Sequence, residues 1–186
     1  MHLSAFIAAS SIALFNLAQG SPLASRATTE PPAKYYLQTQ LRGDSSKDDC
    51  GSAKGGLWLY SYHTGAGLGD AVLDSSKDTA MEAYYNKTDS QQYFTYEGNQ
   101  IGGWPLAVQY GSYQSFLAVT ISVASESDSA GYFFNSTGLQ WNSTEFIGWL
   151  ACDWWHGAPQ LFAELDYSTG DLPKSCSRVD LLPVAY

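Results

Sequence analysis

Tyr84-Tyr85-Asn86-Lys87-Thr88 and Phe133-Phe134-Asn135-Ser136-Thr137 are one pattern written twice, an aromatic pair followed by Asn-x-Thr. Aromatics closed by polar turn residues end a β-strand, and their recurrence marks a repeated supersecondary unit with a period of about 45–50 residues. The segments upstream match in turn. Leu57-Trp58-Leu59-Tyr60, Leu106-Ala107-Val108-Gln109 and Leu150-Ala151-Cys152-Asp153 read as equivalent second strands. Ala71-Val72-Leu73, Leu117-Ala118-Val119 and Leu161-Phe162-Ala163 read as equivalent third strands.

No window of a dozen residues keeps an i, i+3, i+4, i+7 apolar pattern, so long helices are excluded. The strands expected are Tyr35–Leu41, Leu57–Tyr62, Ala71–Asp74, Ala80–Tyr85, Gln92–Tyr96, Leu106–Tyr110, Phe116–Ser122, Gly131–Asn135, Leu139–Asn142, Gly148–Trp154, Gln160–Asp166 and Ser177–Val184. Three sets of four strands are the content of a β-trefoil, an all-β fold in which a six-stranded barrel is capped by three hairpins. Barrel closure removes exposed sheet edges and suits a monomer. The alternative is a β-sandwich or jelly roll whose strands are similar only because all strands alternate.

Ahead of this region, Leu3 to Ala18 form an almost unbroken apolar run ending in Ala18-Gln19-Gly20, a small-x-small cleavage pattern. Residues 1–20 read as a secretory signal peptide, although the usual basic n-region is missing. Residues 21–33 lack an apolar period and read as a flexible leader. Residues 34–186 then form a single domain. The expected location is extracellular, and the sequons at Asn86, Asn135 and Asn142 fit a secreted glycoprotein. A formal net charge of −9 repels a phosphate backbone, so nucleic acid is not the expected partner. No run after residue 20 is long and apolar enough to span a membrane.

Three cysteines, Cys50, Cys152 and Cys176, give one disulfide and one odd thiol in an oxidising compartment. Cys152–Cys176 is the favoured pair, leaving Cys50 in a polar Gly/Ser/Asp loop. The rival links Cys50 to one of the other two, because barrel closure can bring the loop after Leu41 close to Cys176.

The densest chemical cluster is Cys152-Asp153-Trp154-Trp155-His156-Gly157-Ala158-Pro159. Flat aromatic faces pack on the apolar face of a sugar ring, while Asp153 and His156 can take hydroxyl hydrogen bonds. Tyr62 and His63 end an equivalent second strand, so a trefoil places them on a related hairpin. Tyr62, His63, Asp153, Trp154, Trp155 and His156 are therefore the candidate ligand-binding residues. The bland alternative makes one of the tryptophans core and the rest turn-formers. Two histidines cannot complete a tetrahedral zinc site alone, and no HExxH or paired-Cys motif occurs, so neither a metal nor a cofactor is expected.

For nucleophilic catalysis there is no GxSxG elbow. Glu145, Asp153, Glu164 and Asp166 offer carboxylate pairs, but the carboxyl separation that decides glycosidase chemistry is not in the sequence. The Gly65-Ala66-Gly67 turn has no helix after it and reads as a hairpin loop, not a dinucleotide site. Arg42-Gly43-Asp44 reads as a chance tripeptide.

Tyr62-His63-Thr64-Gly65-Ala66-Gly67-Leu68 with Asp70-Ala71-Val72-Leu73 resembles the central motif of a family of small secreted filamentous-fungal proteins of unknown function. Similar blocks are Phe134-Asn135-Ser136-Thr137-Gly138-Leu139-Gln140-Trp141-Asn142, Gly148-Trp149-Leu150-Ala151-Cys152-Asp153-Trp154-Trp155-His156-Gly157 and Cys176-Ser177-Arg178-Val179-Asp180-Leu181-Leu182-Pro183-Val184. The resemblance covers Tyr35 to Tyr186. It implies a secreted fungal origin and a Cys152–Cys176 pair, and it brings no catalytic residues. The Cys50 loop departs from the pattern, which expects a shorter turn there.

The leading expectation is a secreted, non-enzymatic binding protein with a lectin-like affinity for glycans. A second is an effector or protease inhibitor that presents the Arg42 to Gly56 loop to a host or competitor protein, although its Gly/Ser/Asp content lacks the rigidity of an inhibitory loop. A third is a glycan-active hydrolase.

Overall fold

Alternating apolar runs bounded by turn residues give an all-β chain. The computed structural model describes residues 28–43, 52–96, 102–111, 114–123, 130–167 and 172–186. The expected signal peptide, the first part of the leader and Cys50 lie outside the described residues. Among the described residues twelve strands form: β1 (Tyr35–Leu41), β2 (Trp58–Gly65), β3 (Leu68–Asp74), β4 (Ala83–Asn86), β5 (Gln91–Phe94), β6 (Trp104–Val108), β7 (Phe116–Ile121), β8 (Tyr132–Asn135), β9 (Gly138–Trp141), β10 (Phe146–Asp153), β11 (Pro159–Leu165) and β12 (Cys176–Ala185). Each strand read from the sequence has its counterpart, with ends that differ by a few residues at most. Among the described residues the helical structure is one 3-10 turn, Lys77–Thr79.

Nine strands close an antiparallel barrel in the order β1-β4-β5-β6-β7-β3-β11-β10-β12 and back to β1. Strand β2 bridges β1 and β3. The β8–β9 hairpin lies beside β12, where Leu181 meets Gly138 in a single parallel pair. Gly138 is required there: its φ is +89° and a Cβ would collide with the Leu181 carbonyl. The hairpins β2–β3, β6–β7 and β10–β11 converge through their third strands. Asp70 pairs with Thr120, Phe162 with Ala118, and Gln160 with Val72.

Alternation along those strands separates two apolar regions. Ala71, Leu73, Leu117, Val119, Ile121, Leu161 and Ala163 point into the main core with Trp149 and Leu106. Phe162, Leu150, Cys152 and Cys176 form a second buried cluster, with Phe116, Ala118 and Leu172 against it.

The third repeat corrects one sequence alignment. Leu57 and Leu59, like Leu106 and Val108, face the main core, but their counterparts in β10 are Trp149 and Ala151. Leu150 and Cys152 face the other cluster, so the equivalence drawn from Leu150 is one residue out of register. A one-residue slip moves every side chain to the opposite face.

Cys152 and Cys176 are directly paired across β10 and β12 and form a disulfide. The expected leader is tied at its end: Thr29 donates its backbone N–H to the Phe134 carbonyl and its hydroxyl to the Asn135 carbonyl.

Candidate functional site

The candidate site grows from the turn that joins β10 to β11. The chain reverses over residues 154–157, closed by the Gly157 N–H on the Trp154 carbonyl at 3.3 Å. Gly157 adopts φ +73°, a left-handed conformation that glycine tolerates without strain. The turn throws both tryptophans outward. Trp155 is 72% exposed and Trp154 47% exposed, so neither is core. Truncating an exposed ring removes apolar surface without opening a cavity, which makes both residues testable.

His156 turns the other way. Its side chain is 1% exposed, and Nε2 lies 2.7 Å from Asp70 Oδ2. A carboxylate can only accept, so the proton on that side belongs to the imidazole. The second ring nitrogen, Nδ1, is buried with no hydrogen-bond partner among the described residues. Tyr62 stands directly opposite Asp70 in the β2–β3 ladder. Its ring centroid lies 4.2 Å from that of His156, and the Trp155 ring lies 3.8 Å from the same imidazole. Tyr62 is itself 38% exposed. Two solvent-facing aromatics thus contact one anchored imidazole.

Trp154 belongs to a neighbouring feature. Its ring meets Phe162 edge-on at 5.3 Å. Together with Phe116, Ala118, Gln114 and Ser115 it lines a groove of about 300 Å³.

Asp153 has a structural task. Its carboxylate accepts the Ser52 N–H at 2.9 Å and the Ser52 hydroxyl, and it pairs with Lys54 Nζ at 3.2 Å. Burial alone would raise the Asp153 pKa; the Ser52 hydrogen bonds, then the Lys54 hydrogen bond and charge, overcome that and hold it below its ordinary value of 3.8. A carboxylate with a depressed folded pKa contributes stability that is present above its unfolded pKa and lost as pH falls through the folded one. Wild-type protein is therefore expected to lose stability on acidification below about pH 4, and Asp153→Asn to lose less over that range. Thermal melts of both proteins between pH 2 and 6 check this; parallel pH profiles would contradict it.

The site is smaller than the sequence set in one respect and larger in another. His63 is exposed on β2 and makes no hydrogen bond or ring contact with the cluster among the described residues. Asp70, absent from the sequence candidates, is the residue that fixes His156. Its signal was available: a hairpin turn around Gly65–Gly67 puts Asp70 opposite Tyr62.

Of the acids weighed for catalysis, Glu164 is 1% exposed and bound by Arg178 through two hydrogen bonds of 2.8 and 2.6 Å. Arg42 of the Arg-Gly-Asp tripeptide is likewise engaged, with Asp180 and the Ile147 carbonyl. Of the sequon residues, Asn142 is exposed, whereas Asn86 and Asn135 are half-buried and accept backbone N–H bonds from Thr88 and Thr137.

A family model described as a domain of unknown function (DUF7907) matches residues 32–185. No curated protein matches the chain, and no solved structure does.

Proposed function

The chain belongs to the DUF7907 family, a domain of unknown function, and from the surface it presents we propose that it is a secreted, non-enzymatic protein that binds neutral glycans. One observation carries the reading. Tyr62 and Trp155, both exposed, flank a His156 side chain that is itself buried and locked to Asp70. Rings already held in place lose little conformational freedom on binding, which limits the entropic cost of capturing a ligand. Flat apolar faces beside hydrogen-bonding groups suit a pyranose, which has one apolar face and a rim of hydroxyls. The net charge of −9 disfavours acidic polymers and leaves neutral ones.

The secretory reading rests on the apolar run of residues 3–18 and its cleavage pattern. The disulfide agrees with an oxidising compartment.

For the architecture we propose a β-trefoil. Its support is the threefold recurrence of pairings: hairpins β2–β3, β6–β7 and β10–β11, third-strand contacts β3–β7, β7–β11 and β11–β3, and outer pairs β4–β5, β8–β9 and β12–β1. The pairs β1–β4 and β9–β12 complete it together with the approach of β8 to β5, made by the Gln91–Ala130 bridge two residues ahead of β8 and by the Tyr132 N–H on the Ser90 carbonyl at 2.8 Å. The β9–β12 contact is a single parallel pair and departs from the other two. In this frame the platform occupies the tips of the first and third hairpins.

A glycan array of fungal and plant wall polysaccharides tests the function. Binding to at least one neutral glycan is expected, and silence across the array would remove the proposal.

A further inference from the structure

The β6–β7 connection and the residues after β11 hold a second groove. It measures about 560 Å³ and is lined by Tyr110, Leu117, Glu145, Leu165 and Tyr167 together with Gln114 and Ser115. Backbone bonds build it. The Leu165 N–H on the Ser115 carbonyl at 2.9 Å joins the end of β11 to the start of β7. The Asp166 N–H on the Glu145 carbonyl at 2.8 Å brings Glu145 beside Tyr167.

The lining mixes two chemistries. Tyr110 and Tyr167 are 69% and 54% exposed, so both rings present an open face to a ligand in the groove. Glu145 accepts a hydrogen bond from the Tyr167 hydroxyl, and with this carboxylate as the first cause the phenol is pushed up to about 12. Gln114 folds over Gly111, where even a Cβ would strike its amide, so glycine at 111 leaves room for that side chain.

Gln114 and Ser115 also line the Trp154 groove. The two grooves therefore share these two lining residues, just ahead of β7. Each is at or within the range of roughly 300–1,000 Å³ typical of small-ligand sites. One groove reaches the tryptophan turn and the other the tyrosine pair.

We infer that the two grooves act as one track and bind an extended, uncharged oligosaccharide, with Trp154 and Phe116 seating one part of the chain and Tyr110 and Tyr167 seating another. Glu145 and Gln114 accept hydroxyl hydrogens from the second part, and the Glu145 carboxylate repels polyanionic chains. The inference rests on the glycan reading above and adds a multi-unit site that includes Trp154 to the platform of Tyr62 and Trp155. Two linked contacts on one chain raise the local concentration of the second contact, so affinity grows with chain length once both are spanned.

The test uses neutral β-1,3-glucan, β-1,4-glucan and chitin oligomers from disaccharide to hexasaccharide, titrated calorimetrically into the secreted protein. In the wild type the hexasaccharide is expected to bind at least about tenfold more tightly than the disaccharide, the signature of a second contact reached along one chain. In Tyr110→Ala/Tyr167→Ala that ratio falls toward one, and in Tyr110→Phe/Tyr167→Phe, which keeps both flat rings, it is largely retained. Thermal melts verify that each variant is folded, as expected for exposed positions. A double alanine variant that keeps the wild-type ratio, while Trp155→Ala weakens every oligomer, overturns the track and leaves the platform standing. A wild type that binds no oligomer of any length overturns both.

Discussion

Trp149→Ala is expected to cost about 3–5 kcal/mol of folding stability, the range for truncating a buried tryptophan. Trp149 is fully buried, packs against Phe146 with ring centroids 4.8 Å apart, and donates its indole N–H to the Leu139 carbonyl at 2.6 Å. Alanine would leave a cavity in the main core and remove that bond to β9. The bond ties β10 to the β8–β9 hairpin, whose ladder contact with β12 is a single pair. Urea denaturation of the variant reads the cost directly; a loss under about 1 kcal/mol would mean the core collapses around the site or that β9 is held otherwise. Trp155→Ala, at the tip of the hairpin that β10 begins, should by contrast melt like the wild type because its ring is 72% exposed.

Removing the disulfide as Cys152→Ala/Cys176→Ala is expected to cost about 3 kcal/mol, from the entropy that a crosslink of this span removes from the unfolded chain. The sequence separation is 24 residues, and the intervening chain leaves β10, runs through β11 and returns to β12. Both cysteines sit in the second apolar cluster with Phe162 and Leu150, so the double variant also loses buried contacts. For a domain of this size the change corresponds to roughly 2–4 °C of melting temperature per kcal/mol. Reduced wild type and the double variant should both melt below the oxidised protein, the double variant lower still because it also loses those buried contacts. No shift in either would show that the paired strands β10 and β12 make the crosslink redundant.

Much of the fold is legible because alternation and turn residues act locally. The twelve strands can be read from the chain, whereas the Cys152–Cys176 pair is favoured there over a link to Cys50 and is settled only by the pairing of β10 with β12. The register of β10 cannot, because both of its faces are apolar: Trp149 and Ala151 enter one core while Leu150 and Cys152 enter another. Where alternation is silent, only partner strands decide the face. The Trp154-Trp155-His156 turn is visible as a cluster, but which ring is exposed depends on the local reversal at Gly157. Asp70 follows from a two-strand register. The Tyr110–Tyr167 groove does not, since its walls come from the β6–β7 connection, β7, the residues before β10 and the end of β11, and no local spacing connects them.

The most direct test of the account pairs a glycan titration with a thermal melt on wild type, Trp155→Ala and Tyr62→Ala. The account predicts that the wild type binds a neutral wall glycan and that each variant loses at least about tenfold in affinity, or 1.4 kcal/mol, at an unchanged melting temperature. Undiminished affinity in both variants, or a wild type that binds no glycan, would contradict it.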